Sequence, residues 1–178
     1  MKKKIVFGGV GGIFLTIAGL MFYDMTQMKI ETLILCSANE GGIRIPSDLC
    51  YSYMVNYRMN EKDINELSEG AGLDYILNGE EPIKYDIAKA FLARGLDVDG
   101  VNHYKAHSED KSATPLQAAV VYNDVPRAKF LLEQGADLQI RGELEMTALE
   151  YAKKLHKAGS KFRDKSEIIQ ILSDTEKQ

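Results

Sequence analysis

The chain has 178 residues, 45% of them hydrophobic and 27% charged, enough apolar material for one packed core and too much for a wholly disordered chain. Its formal net charge is -4, and because Lys2, Lys3 and Lys4 are three of the 22 basic residues, the remainder sets 19 of them against 26 acidic ones. A surface of that sign repels phosphate backbones, and no Arg/Lys stripe with interleaved aromatics offsets it, so nucleic acid is excluded as an expected partner.

Ile5 to Tyr23 contains no charged residue and is mostly Ile, Val, Phe, Leu, Met and Gly; as a helix it reaches about 28 Å, roughly the hydrocarbon thickness of a bilayer. Residues 1–23 are therefore read as cytoplasmic lysines followed by one N-terminal transmembrane helix. Lysines before the run and Asp24 after it place the start inside and the rest outside. Small residues near Ala18 and Gly19 also fit a signal peptide cut after Ala18, whereas the apolar run through Leu20, Met21, Phe22 and Tyr23 favours retention. The expected location is thus the inner membrane, single-pass with the C-terminal domain in the periplasm, or the soluble periplasm after cleavage.

Cys36 and Cys50 are the only cysteines, and in an exported segment two cysteines are more often bridged than free. Two buried free thiols are the alternative. Two cysteines with no nearby histidine are too few ligands for zinc, and the spacing is not that of a Cys-x-x-Cys redox pair. Gly41, Gly42 and Pro46 between them predict a turn joining a helix around Ile30 to Ser37 and another beginning near Ser47 or Asp48, either of which can cap it.

Thr114-Pro115-Leu116-Gln117-Ala118-Ala119 predicts a helix, Pro126 to Gln134 a second, and Gly135-Ala136-Asp137-Leu138 its end. Thr147-Ala148-Leu149-Glu150-Tyr151-Ala152 restarts the pattern 33 residues later. Ala88 to Val98 matches Ala128 to Leu138 at an offset of 40, which puts a seven-residue insertion between Val101 and Ala113. Lys165 to Asp174 supplies the second helix of a last unit. Thr114 and Thr147 suit N-caps, Pro115 the first helical position, Gly95 and Gly135 the left-handed residue after a helix, and Asp97 and Asp137 the turn that follows.

These residues resemble the ankyrin repeat family over about residues 60 to 174, best from Thr114 to Arg141. Gln117 stands where the family usually has histidine, and Asn123 where it usually has glycine. The expected fold is all-α: an ankyrin-repeat helical solenoid over 79–178, preceded by an irregular helical N-terminal cap over 24–78 and the transmembrane helix. Glu61 to Leu67 and Gly72 to Leu77 are helical by pattern, but Gly70 and Gly72 interrupt them, so they are assigned to the cap.

No catalytic constellation emerges. His103 and His107 are four apart, but they lie in the polar insertion with Lys105, Ser108, Glu109, Asp110 and Lys111; neither a metal, a cofactor nor a small-molecule substrate is expected. Binding by loop tips is the family's implied mode. The expected partner-binding residues are Asp99, Asn102, His103, Tyr104, His107, Glu109 and Asp110 in the long loop, Gln139, Arg141, Glu143 and Glu145 in the next, and Tyr122, Asn123 and Asp124 at a helix-helix turn. An exported helical-repeat domain of this kind resembles the ankyrin immunity proteins that bacteria make against secreted antibacterial effectors, notably the lipases of type VI secretion systems. The resemblance implies a protein that neutralises such a toxin in the periplasm by occlusion. A periplasmic scaffold or stress-response adaptor for a resident envelope protein is the other reading.

Overall fold

The computed structural model describes residues 2–104, 111–158 and 164–177, and the side chains of residues 2–11, 13 and 14 are not described. All regular structure among the described residues is helical, and the chain separates into two compact units, residues 1–58 and 59–178.

The first unit contains α1 (Lys2–Gln27), α2 (Ile30–Ser37) and α3 (Ser47–Tyr57). Ile30, Leu33, Ile34 and Cys36 recur at helical spacing on α2 and are buried with Cys50, Tyr53 and Met54 of α3. The intervening turn reverses through Asn39, Gly41 and Gly42, all at positive φ, and the Cys36 and Cys50 sulfurs are bonded with their Cα atoms 5.8 Å apart. Pro46 is the N-cap of α3 and no side chain caps it, so neither Ser47 nor Asp48 takes the expected role. Proline fixes the entry geometry without a cap, since its own backbone is confined near the φ of -55° found here. Arg58 closes the unit by donating from Nη1 to the Met28 carbonyl at 3.0 Å.

The apolar run forms part of α1, yet no helix among the described residues is long and apolar enough to cross a membrane. The transmembrane helix expected over 5–23 is therefore not found among the described residues, which leave out the side chains of most of its first half.

The second unit contains α4 (Glu61–Glu69), α5 (Leu73–Leu77), α6 (Lys84–Leu92), α7 (Pro115–Tyr122), α8 (Val125–Glu133), a single 3-10 turn at Gly142–Leu144, α9 (Ala148–Lys157) and α10 (Ser166–Thr175). α5 packs on α6, α7 on α8 and α9 on α10, while α7 meets α9 and α8 meets α10: three helix hairpins in series. The segment 59–78 shares its compact unit with these hairpins. Gly72, at φ +58°, shortens α5 to five residues without abolishing it. Ala88, Ala119, Ala128 and Ala152 are fully buried, and their small side chains let neighbouring helices approach; Phe91, Leu116, Leu131, Ile168 and Leu172 fill the space between.

The helix ends follow the sequence expectations closely. Thr114 and Thr147 each form a reciprocal capping box, with Gln117 and Glu150 respectively. Asn123 takes the left-handed conformation at φ 56° that glycine usually supplies, and its Nδ2 donates to the Asp164 carbonyl at 3.1 Å. Lys165, buried at the start of α10, donates from Nζ to the carbonyls of Val120 and Val121 at 2.7 and 3.1 Å. A cation thus closes the C-terminal end of α7, where the helix dipole favours it.

Gln117 does more than cap. Its Oε1 accepts from the Thr114 N–H at 2.9 Å, while Nε2 faces three carbonyls of the next connection, Met146 at 2.9 Å, Arg141 at 3.2 Å and Ile140 at 3.4 Å. The side chain is 1% exposed, so alanine here leaves several buried polar groups without it. We expect Gln117→Ala to lower stability by about 2–3 kcal/mol in urea unfolding, and Gln117→His, which keeps a ring N–H donor, to lose less.

Candidate functional site

The connections α6–α7 and α8–α9 carry most of the predicted binding residues, and the same local chemistry builds both. Asp97 accepts from the N–H of Asp99 through Oδ1 at 2.9 Å, and 40 residues later Asp137 accepts from the N–H of Gln139 at 2.8 Å. These Asx turns follow Gly95 and Gly135, whose positive φ ends each second helix. Adjacent connections are then tied together. Both Asp99 carboxylate oxygens lie 3.1 Å from the Asp137 amide nitrogen, and Glu143 Oε2 accepts from the Ser112 N–H at 2.8 Å. Partial burial raises the Asp99 carboxyl above its ordinary range, the Asp137 N–H pulls it down, and the neighbouring Asp97 and Asp137 charges push it up again.

Asn102 is similarly engaged. Its Oδ1 accepts from the Tyr104 N–H at 2.9 Å and its Nδ2 reaches Asp74 Oδ2 at 3.4 Å, while the His103 N–H donates to the Gly70 carbonyl at 2.9 Å. On the next connection Arg141 pairs with Glu150 at 2.6 Å and donates to the Glu145 carbonyl at 3.1 Å; Glu145 itself sits at φ 58°. The Thr147 N–H and then Arg141 hold the Glu150 carboxyl below its usual range. Gln139 Nε2 lies 3.3 Å from Glu176. Asp99, Asn102, Arg141 and Glu143 thus shape the connections, and the side chains of His103 and Tyr104 stand exposed on them. His107, Glu109 and Asp110 lie outside the described residues.

Tyr122, Asn123 and Asp124 occupy the α7–α8 turn. Asn123 holds the turn, and Asp124 caps α8 by accepting from the Arg127 N–H at 3.0 Å. Tyr122 and Asp124 line a cleft of about 360 Å³ with Leu77, Asn78, Lys84 and Arg127. Leu77, Asn78 and Lys84 escape a reading of the sequence, because nothing local marks a residue as the neighbour of a turn far along the chain.

The floor of that cleft is ionic. Arg127 is buried and pairs with Asp74 through Nη2, while its Nη1 donates to Asn78 Oδ1 at 2.8 Å. Burial pushes the Asp74 carboxyl up, and Arg127 and Asn102 draw it part of the way back. Tyr85, packed 4.9 Å from the Phe130 ring, is also raised, by burial first and then by the Asp124 charge. Lys84 donates to the Gly79 carbonyl at 2.9 Å. The cleft therefore presents a fixed polar base and an exposed tyrosine at its edge, features that suit recognition of another surface.

Among known families, the ankyrin repeat model matches residues 112–143, the stretch running from the end of the long connection through α7 and α8 into the following one. No curated protein and no solved structure matches the chain. Ankyrin repeats are modules of protein-protein interaction, typically without catalytic activity, and the stacked hairpins around this match have the corresponding helical architecture.

Proposed function

We propose, taking the ankyrin repeat at 112–143 as the premise, that this protein is a non-catalytic binding module held at the outer face of a membrane by residues 5–23, and that it neutralises a secreted antibacterial lipase by covering it. The observation that carries the binding role is the contrast within the repeat unit. Among the described residues, Asp99 and Glu143 of the connections are engaged in intramolecular bonds, while Tyr104 and Tyr122 are 62% and 64% exposed. Rigid loops that display tyrosine lose little entropy on binding and supply the side-chain type that dominates interface energetics. The disulfide in the first unit supports an oxidising compartment, and the acidic balance of the chain favours a basic target surface.

The test is capture from native membranes and culture supernatant with the full chain, followed by an activity assay on whatever is retained. Recovery of a secreted lipase that the protein inhibits one-to-one establishes the reading. Recovery only of resident envelope proteins replaces it with a scaffold. With the partner in hand, Tyr122→Ala is expected to weaken binding by about tenfold or more in calorimetry, an effect typical of an interfacial tyrosine anchor, without altering the thermal transition.

A further inference from the structure

Residues 15–20 of α1 are all exposed, six consecutive positions that together cover every direction around a helix. Leu15, Ile17 and Leu20 are 77%, 45% and 59% exposed, and a Cβ placed on Gly12 or Gly19 would meet nothing within 4 Å. A protein groove covers one stripe of a helix; an apolar helix exposed on all sides needs an environment that surrounds it, which is what lipid does.

Towards its C-terminal end this helix meets α3 through aromatic rings. Phe22 lies edge-on to Tyr53 at 5.3 Å and to Tyr57 at 6.5 Å, and the two tyrosines stack at 5.5 Å. Tyr53 and Tyr57 are four apart on α3 and so share a face, and Phe22, Tyr23 and Tyr57 remain half or more exposed. Asp24 follows at once. Rings with a polar tip concentrated where an apolar helix gives way to charge have the composition of a membrane-water interface.

We propose that this aromatic cluster is a lipid-contact surface. Phe22 and Tyr23 mark the level of the headgroup boundary, and α3, through Tyr57, rests on the bilayer together with α1. The inference depends on the tether reading and adds to it a second helix that touches lipid.

The chain has no tryptophan, so single-tryptophan variants report one position each. Phe22→Trp, Tyr57→Trp and, as control, Tyr104→Trp would be reconstituted as full chains into phosphatidylethanolamine/phosphatidylglycerol vesicles whose acyl chains carry bromine near the headgroup or near the methyl end. Emission from positions 22 and 57 is expected to fall to roughly half with the shallow bromine, less with the deep one, and to stay unchanged at 104. Quenching at 22 but not at 57 leaves the tether standing and overturns the contact of α3. No quenching at 22 or 57 overturns both readings. Equal quenching at all three positions indicates indiscriminate adsorption and overturns the proposal.

Discussion

Replacing Arg127 with alanine is expected to lower the stability of the repeat unit by about 3–5 kcal/mol, because it strands the Asp74 carboxylate in a buried site. For a unit of this size that shifts the thermal midpoint down by roughly 10–20 °C. The pH dependence separates this cause from lost packing. Asp74 already titrates above its ordinary value in the folded protein, so the fold binds that proton more tightly than the unfolded chain does. A carboxyl raised in this way makes stability fall as pH rises from the unfolded value of 3.8 through the folded one. Removing Arg127 takes away a lowering influence and extends that window upward. The deficit of Arg127→Ala should therefore be largest near neutrality and shrink on acidification, whereas a pure cavity would give a deficit independent of pH. The paired replacement Asp74→Leu with Arg127→Met, which removes both charges, should recover most of the loss at neutral pH. Urea unfolding of the three proteins at several pH values measures all of this directly.

Reduction of the Cys36–Cys50 bond is expected to be nearly as damaging, and to act on the first unit. The bridge closes a separation of 14 residues and joins the two helices whose buried faces form this small core. Opening a loop of that length releases unfolded-state entropy worth about 3 kcal/mol, or roughly a hundredfold in the opening equilibrium. Hydrogen exchange of the α2 and α3 amides should accelerate by about that factor in dithiothreitol and in Cys36→Ser, with the α7 and α8 amides as the internal reference. An unchanged exchange rate would mean that Leu33, Ile34, Tyr53 and Met54 hold the unit without the covalent link.

How much of the molecule can be read from the chain depends on the distance over which each feature is specified. α2 begins and ends where its apolar spacing predicts, and α7 and α9 start after Thr114 and Thr147, because a cap and the first turn involve neighbours within four residues. Gly95 and Gly135 announce the left-handed position by their lack of a side chain, and Asp97 and Asp137 bond two residues ahead. α5 is less legible. Two glycines in three residues weaken any helical pattern, and Leu73 to Leu77 packs as a short helix on α6. The expected caps Ser47 and Asp48 fail for a local reason that the sequence also holds, since Pro46 sits immediately before them.

The candidate site divides in the same way. That insertions and turns of an ankyrin-like stack would carry polar and aromatic residues is visible in composition, and Tyr104 and Tyr122 are indeed exposed. Which polar residues have intramolecular duties is not visible, because Asp99 meets Asp137 across 38 positions, Glu143 meets Ser112 across 31 and Arg127 meets Asp74 across 53. Nothing in the residue types distinguishes an aspartate that will bind a partner from one that will hold a backbone N–H.

The linear order of amino acids settles the helical character of this protein, its 33-residue period, the caps and turns that punctuate it, and the apolar run at its start, since all of these follow from propensity and short-range hydrogen bonding. Folding in three dimensions settles the rest: that residues 59–78 share a compact unit with the helices that follow, that Gln117 and Lys165 serve carbonyls of other segments, and that a buried Asp74–Arg127 pair underlies the cleft at Tyr122. Those outcomes depend on which distant groups the packing of apolar faces brings within about 3 Å of each other, and desolvation then makes each such polar contact obligatory.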